Sequence, residues 1–162
     1  MTESAKVASE LSELCRSCGA CCDGTLFHRA RLTPDEVEPA KRNGLRVIRD
    51  KVFEQPCAQL ENKSCKIYGS RPSVCESFRC KLFARHRDEG GPIEARLRVV
   101  RRFRFMLQKL ECYGFERGSN GEVRFSAAGP AAAAAAEAFQ EVTQLMEDDF
   151  AREPHSDGPN GS

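Results

Sequence analysis

Four cysteines fall within eight residues at Cys15-Arg16-Ser17-Cys18-Gly19-Ala20-Cys21-Cys22, and four more follow at Cys57, Cys65, Cys75 and Cys80. No other feature restricts the fold of this chain as much. Thiolates are soft ligands for zinc, iron and iron–sulfur clusters, and a tetrahedral site takes about four of them. Eight thiols suit two metal centres, or one cluster with ligands to spare. Cys15-x-x-Cys18 is a chelating pair whose side chains reach one ion, and Gly19 stands where a metal knuckle must turn sharply. Cys21 extends the run to i, i+3 and i+6, the spacing that wraps a [4Fe-4S] cube when a fourth ligand comes from elsewhere. Cys22 departs from that pattern, being adjacent and not followed by proline, and is open to a second centre, a structural contact or redox chemistry.

The competing reading is a disulfide framework, which belongs to oxidising compartments and usually to small secreted domains. Met1 to Leu14 lacks the apolar core of a signal peptide, since Glu3, Lys6, Glu10 and Glu13 interrupt it. A cytoplasmic chain is therefore expected, and clustered thiols there are more often metal ligands. The balance of 25 basic against 24 acidic residues excludes a whole-molecule field that would draw the chain to nucleic acid or membrane. No apolar run approaches the roughly 20 residues needed to span a bilayer.

Val7, Leu11 and Leu14 lie at i, i+4 and i+7, which predicts a short amphipathic helix over Ala5–Leu14 leading into a cysteine loop. A short strand is read within Thr25–Leu32. Thr33-Pro34-Asp35-Glu36 then forms a helix start, with Thr33 and Glu36 as a capping box, and Asn43-Gly44 ends that helix. Leu45–Phe53 reads as a strand or extended segment. Cys57–Tyr68 reads as a hairpin around a polar turn at Glu61–Ser64, which brings Cys57 and Cys65 near each other. Pro72 opens a helical turn carrying Cys75, and Phe78 is placed to shield the thiols from water.

With these segments in order, a resemblance emerges. Cys15-x-x-Cys18-x-x-Cys21-Cys22, Leu32-Thr33-Pro34-Asp35-Glu36, Pro56-Cys57-x-x-Leu60, Cys65-x-Ile67-Tyr68, Arg71-Pro72-x-x-Cys75 and Phe78-x-Cys80 together resemble the YkgJ-type cysteine-cluster proteins, the CxxCxxCC family of zinc- or iron-chelating domains. The resemblance covers about half of the chain. It implies metal ligation by Cys15, Cys18, Cys21, Cys22, Cys57, Cys65, Cys75 and Cys80, and it implies no particular reaction.

Beyond the break at Gly90-Gly91-Pro92, a long helix is predicted over Ile93–Tyr113, with Val99, Phe103, Met106 and Leu110 on one face. Arg96, Arg98, Arg101, Arg102 and Arg104, with Arg85 and Arg87 before it, are read as a solvated basic face. Phe115-Glu116-Arg117 and Val123-Arg124-Phe125 read as a minimal hairpin with a turn at Gly118–Gly121, and a helix from Ala131 to about Phe150 packs against the long one. Phe103, Met106, Leu110, Phe139, Val142 and Met146 are expected in one core. Cys112 is expected as a buried apolar thiol outside the ligand set, and His28 as no more than a spare ligand or proton donor. His86, among arginines, and His155 are expected to have no part in the site.

The expected architecture is α-rich α+β: one domain over 1–150, with a loop-rich metal-binding module at 15–80 and a helical part at 93–150, then a disordered tail at 151–162. No phosphate-cradling loop, His-Glu-x-x-His or nucleophile elbow occurs, so no catalytic residue is assigned. The reading favoured is a metal-binding protein holding an iron–sulfur cluster and/or zinc in a structural or redox role. Two alternatives stand beside it, a metal-dependent enzyme or accessory in protein modification, and an adaptor docking an acidic partner through the basic helix. Zinc against iron–sulfur, the protein or redox partner and the oligomeric state stay open, and neither nucleic acid nor membrane is an expected partner.

Overall fold

A computed structural model describes residues 2–117 and 123–152. The architecture is α-rich with short antiparallel strands, as the sequence predicts. Helix α1 runs Glu3–Cys18, longer than the expected Ala5–Leu14. Thr2 caps its start, and Arg16 and Ser17 tolerate helix well enough that the helix continues to Gly19, whose left-handed backbone (φ 65°) ends it. Cys15 and Cys18 consequently sit on the last turn of a helix, not in a loop.

Strand β1 (Arg29–Arg31) lies within the expected segment. Pro34–Glu36 forms a 3₁₀ turn behind the Thr33–Glu36 capping box, and α2 (Val37–Arg42) follows, with Asn43 at its end. The single strand expected over Leu45–Phe53 is two, β2 (Val47–Ile48) and β3 (Val52–Glu54), because Arg49 and Asp50 both take positive φ and reverse the chain. β3 is the middle strand of the sheet β1-β3-β2, with Phe53 opposite both Ala30 and Val47. Strands β4 (Leu60–Glu61) and β5 (Ser64–Cys65) make the expected hairpin, turned through Asn62 and Lys63 at φ 48° and 62°. A 3₁₀ turn at Tyr68–Ser70 leads to α3 (Ser73–Ser77), begun at Pro72.

Helix α4 (Lys81–Glu89) has no counterpart in the sequence reading. Its nine residues are mostly charged and only Leu82, Ala84 and His86 are buried, a stripe too thin to register as periodicity. Helix α5 (Ile93–Cys112) buries Leu97, Val100, Phe103, Met106 and Leu110. Strands β6 (Phe115–Arg117) and β7 (Val123–Phe125) pair as expected; the predicted turn between them lies outside the described residues. Helix α6 (Pro130–Leu145) passes into a π turn at Met146–Phe150.

Two hydrophobic cores result. The larger gathers Leu14 of α1, Leu82 of α4, the α5 stripe, Ala138 and Val142 of α6, and Phe150, with Phe139 and Met146 packed against them. The six residues expected in one core therefore share it. Phe150 stacks on fully buried Phe103 with ring centroids 4.1 Å apart. The smaller core has three buried residues, Ala40, Leu45 and Phe53. Ala151 and Arg152, expected in a loose tail, are held by Lys81 N–H donating to Ala151 O at 2.9 Å and by a bridge between Arg152 and Cys80. The remainder of the expected tail lies outside the described residues.

Candidate metal centre

Four local structures carry the eight candidate thiols. On α1, Cys15 and Cys18 share a face at i and i+3. Gly19 donates its N–H to Cys15 O at 2.8 Å, and its carbonyl accepts from Cys22 and Asp23 at 2.9 and 3.1 Å, so the chain coils tightly through Cys21 and Cys22. Gly19 is also a point of close approach: a Cβ there would stand 3.4 Å from Arg104 Nη2 and 3.8 Å from Lys63 Cβ. The sulfurs of Cys21 and Cys22 are 3.8 Å apart.

The first cysteine segment is bonded directly to the second, since Cys57 N–H donates to Cys22 O at 2.8 Å. Cys57 opens the β4–β5 hairpin and Cys65 sits opposite Leu60 within it. Glu36 places Cys75. One of its carboxylate oxygens accepts from Thr33 N–H at 2.8 Å to close the capping box, and the other accepts from Ser73 N–H at 2.6 Å at the start of α3. Burial works against the Glu36 carboxylate, but these bonds outweigh it and hold the group down to about 2. Cys80 caps α4, its sulfur accepting from Phe83 N–H at 3.4 Å.

Electrostatics divide the thiols into two neighbourhoods. Burial, then the charges of Cys21, Cys80 and Cys18, push the Cys15 thiol up to about 12, although the residue as a whole is exposed. Burial foremost, with Cys21 and Cys80 adding to it, pushes Cys18 up to about 12 as well. Cys80 is raised by burial and by Cys21. Around the hairpin, burial followed by Cys57, Cys21 and Cys65 pushes Cys75 up to about 12, and burial and Cys65 raise Cys57. Cys21 belongs to both neighbourhoods and is raised by its hydrogen bond with Cys22 and then by burial. Cys18 and Cys80 lie against the larger core, and Cys57 and Cys75 against the smaller one.

All nine cysteines are free. Among the described residues no three His, Cys, Asp or Glu side chains stand in an arrangement that would itself hold an ion. The donor set nonetheless fits a thiophilic metal: soft atoms, most of them partly buried, and mutual repulsion that a cation would relieve.

Four arginines that the spacing did not single out stand beside these thiols and favour their charged form: Arg79 by Cys15, Arg104 by Cys18, Arg46 by Cys57 and Arg71 by Cys75. Sequence offered little signal for them, because each comes from a different element. The expected basic face of α5 is largely paired instead. Arg96 meets Glu89 at 2.9 Å, Arg102 meets Glu141 at 2.6 Å, Arg104 meets Asp23 at 2.7 Å, and Arg101 pairs with Glu94. Arg85 and Arg87 pair with Asp149 and Asp88.

Cys112 is exposed, contrary to expectation, because α5 turns that position away from the stripe ending at Leu110. His86 is buried, with Nε2 3.0 Å from Glu10 Oε2, so it ties α4 to α1 instead of lying on a basic surface. His28 is exposed and borders a cavity of about 780 Å³. That cavity runs from Asp23 and Arg104 along an apolar wall that includes Leu26, Leu107, Phe139 and Met146. Phe78, the expected shield, is partly buried and meets Phe27 edge-on at 4.9 Å. His155 lies outside the described residues, and no described helix is long and apolar enough to cross a membrane.

No curated protein and no solved structure matched this chain. A family model did, over residues 14–112, described as "CxxCxxCC: Putative zinc- or iron-chelating domain". The match takes in more than half of the chain and all nine cysteines, and it runs beyond Cys80 to the end of α5. With thiols gathered from both cysteine segments and a donor set suited to zinc or iron, this chain belongs to the CxxCxxCC family.

Proposed function

We propose that the chain holds two metal centres through eight thiolates, with Cys15, Cys18, Cys21 and Cys80 in one and Cys22, Cys57, Cys65 and Cys75 in the other. The observation that carries this reading is the company Cys80 and Cys75 keep. Cys80 is remote from the first cluster in sequence yet adds its charge to Cys15 and Cys18, whereas Cys75 takes its largest neighbouring charge from Cys57, with Cys65 adding to it. Cys22 joins the second group through its backbone bond to Cys57. The i, i+3, i+6 run completed by a distant fourth thiol favours an iron–sulfur cluster in the first group, and the hairpin-borne thiols of the second suit a single tetrahedral ion.

A bound cluster would supply a redox couple, and a closed four-thiolate zinc site would supply folding energy. The chain's own residues would set the conditions. The two cores shield Cys18 and Cys80, and Cys57 and Cys75, from water, Gly19 allows the tight coil through Cys21 and Cys22, and Glu36 fixes the start of α3, which carries Cys75. The cavity beside Asp23 and Arg104 favours a second reading, a metal-dependent enzyme whose substrate enters there.

Anaerobic purification followed by metal and acid-labile sulfide analysis and an absorption spectrum tests the proposal. Iron with sulfide and a broad visible band supports the cluster. Zinc without sulfide in a colourless protein overturns the cluster but retains the thiolate centres, and absence of any tightly held metal overturns both. An exchangeable ligand on the bound metal would favour the enzyme reading over a closed site.

A further inference from the structure

Arg71 and Arg104 share a property found in no other described arginine. The Nε atom of each is buried and has no hydrogen-bond partner among the described groups. A buried donor without an acceptor is costly, so each of the two calls for an explanation.

Both guanidinium groups are anchored by their other faces. Arg104 holds Asp23 Oδ2 at 2.7 Å, and its Nη2 lies 3.4 Å from where a Cβ on Gly19, the residue after Cys18, would stand. Arg71 lies over the Tyr68 ring with 3.9 Å from its central carbon to the ring centroid, four residues before Cys75. In each case a planar cation is fixed beside a sulfur group with an N–H left over. The other two arginines near the thiols are spent differently. Arg46 donates to Pro56 O at 2.8 Å and is mostly exposed, and Arg79 donates to Phe78 O at 2.8 Å.

Four thiolates around a divalent ion, or around a cluster of the same charge, keep a net negative charge that must be met inside a region poor in water. N–H groups aimed at metal-bound sulfur meet that need and tune the centre. We infer that Arg104 and Arg71 are the dedicated outer-sphere donors of the two centres, Arg104 serving the Cys15, Cys18, Cys21 and Cys80 group and Arg71 the Cys22, Cys57, Cys65 and Cys75 group. This rests on the ligand grouping proposed above. Each arginine holds its group's charge through the spare N–H and is a positioning residue, not a ligand. One guanidinium per centre also explains why the two come from separate elements, α5 and the turn before α3.

The test is a comparison of Arg104→Gln, Arg71→Gln, their Lys counterparts and Arg46→Gln, using purified full-length chain. Two quantities are read for each: affinity for zinc or ferrous iron by competition with a chromophoric chelator, and the melting temperature of the metal-free form. Arg104→Gln and Arg71→Gln should each weaken one of the two metal equivalents by about 10–100-fold and leave the other unchanged. The Lys variants should recover part of the loss through charge alone, and Arg46→Gln should stay within about twofold of the parent. Where iron is bound, each Gln variant should also shift the potential of its own centre only.

Equal weakening of both equivalents, or loss that tracks the metal-free melting temperature across all five variants, overturns the assignment in favour of plain structural arginines. So does full affinity in both Gln variants. Cys18→Ser and Cys75→Ser separate this outcome from failure of the ligand grouping itself. If they lose metal while the arginine variants keep it, only the arginine assignment fails, and if they too keep full metal, the grouping fails.

Discussion

At the scale of the residue, the contrast between Cys18 and Cys112 is the sharpest. Cys18 packs against the larger core beside Cys21 and Cys80, and Cys112 stands exposed at the far end of α5. Cys18→Ser should lose metal from its centre and lower the melting temperature of the loaded protein, whereas Cys112→Ser should leave metal content and melting unchanged. Proton competition gives a second prediction. Thiols must lose their protons to take metal, and Cys15, Cys18 and Cys75 are held up to about 12, so metal uptake should release protons and strengthen as pH rises through the neutral range. In the metal-free chain the sign for folding is opposite. These thiols favour the folded state only while protonated, a contribution fully present below the ordinary 9.0 and lost as pH rises from 9.0 towards 12. Melts of the metal-free protein at about pH 8 and about pH 11 should show the loss, and bound metal should suppress it. The eight thiols were legible in sequence because a soft-ligand pattern is written in one residue type. The arginines beside them were not, since a cation's use depends on which sulfur the fold brings to it.

At the scale of the element, α5 and the Glu36 link make opposite demands on reading. The stripe of α5 repeats a single helical period and is legible without any structure. Phe103 is its most buried member and stacks on Phe150, so Phe103→Ala should cost about 3–5 kcal/mol by chemical denaturation. Glu36 was legible as half of a capping box, but its second oxygen reaches Ser73, 37 residues away, and nothing local announces that. Glu36→Gln should cost about 1 kcal/mol, less than its displaced titration alone would imply because the carboxylate is partly in water. Since its folded-state value is depressed from 4.5 to about 2, the stability it gives is present above 4.5 and lost as pH falls from there towards 2. The parent should therefore show an acid-dependent drop in melting temperature across that window which the Gln variant lacks. The same contrast explains α1 and α4. Helix α1 overran its predicted end because Cys15 to Cys18 read as a loop on ligand spacing alone, although only Gly19 is a true stop. Helix α4 is held by Leu82 and by the His86–Glu10 contact, neither of which has a local signature.

At the scale of the whole molecule, the two cores are unequal. The larger unites four helices, whereas the smaller has only Ala40, Leu45 and Phe53 fully buried, too little apolar surface to fix the β1–β3 sheet and hairpin firmly. Stripping metal with a chelator should raise amide exchange across residues 29–78 much more than across α5 and α6, as read by hydrogen–deuterium exchange mass spectrometry; uniform deprotection would show that the smaller core stands without metal. The general α-rich plan was legible because it follows from periodicity and caps. The way α4 and the segment at Ala151 close over Cys80 was not, because those contacts join residues far apart in sequence. That closure bears on how the protein is made. Cys80 leaves the ribosome some seventy residues before Arg152, the residue its backbone bridges, so Cys15, Cys18 and Cys21 emerge well before the contact that fixes the fourth thiol proposed to join them. On the proposed grouping, closure of that centre would wait for the segment that bridges Cys80, and a nascent chain stalled short of Phe150 should expose these thiols as open, oxidisable sulfhydryls.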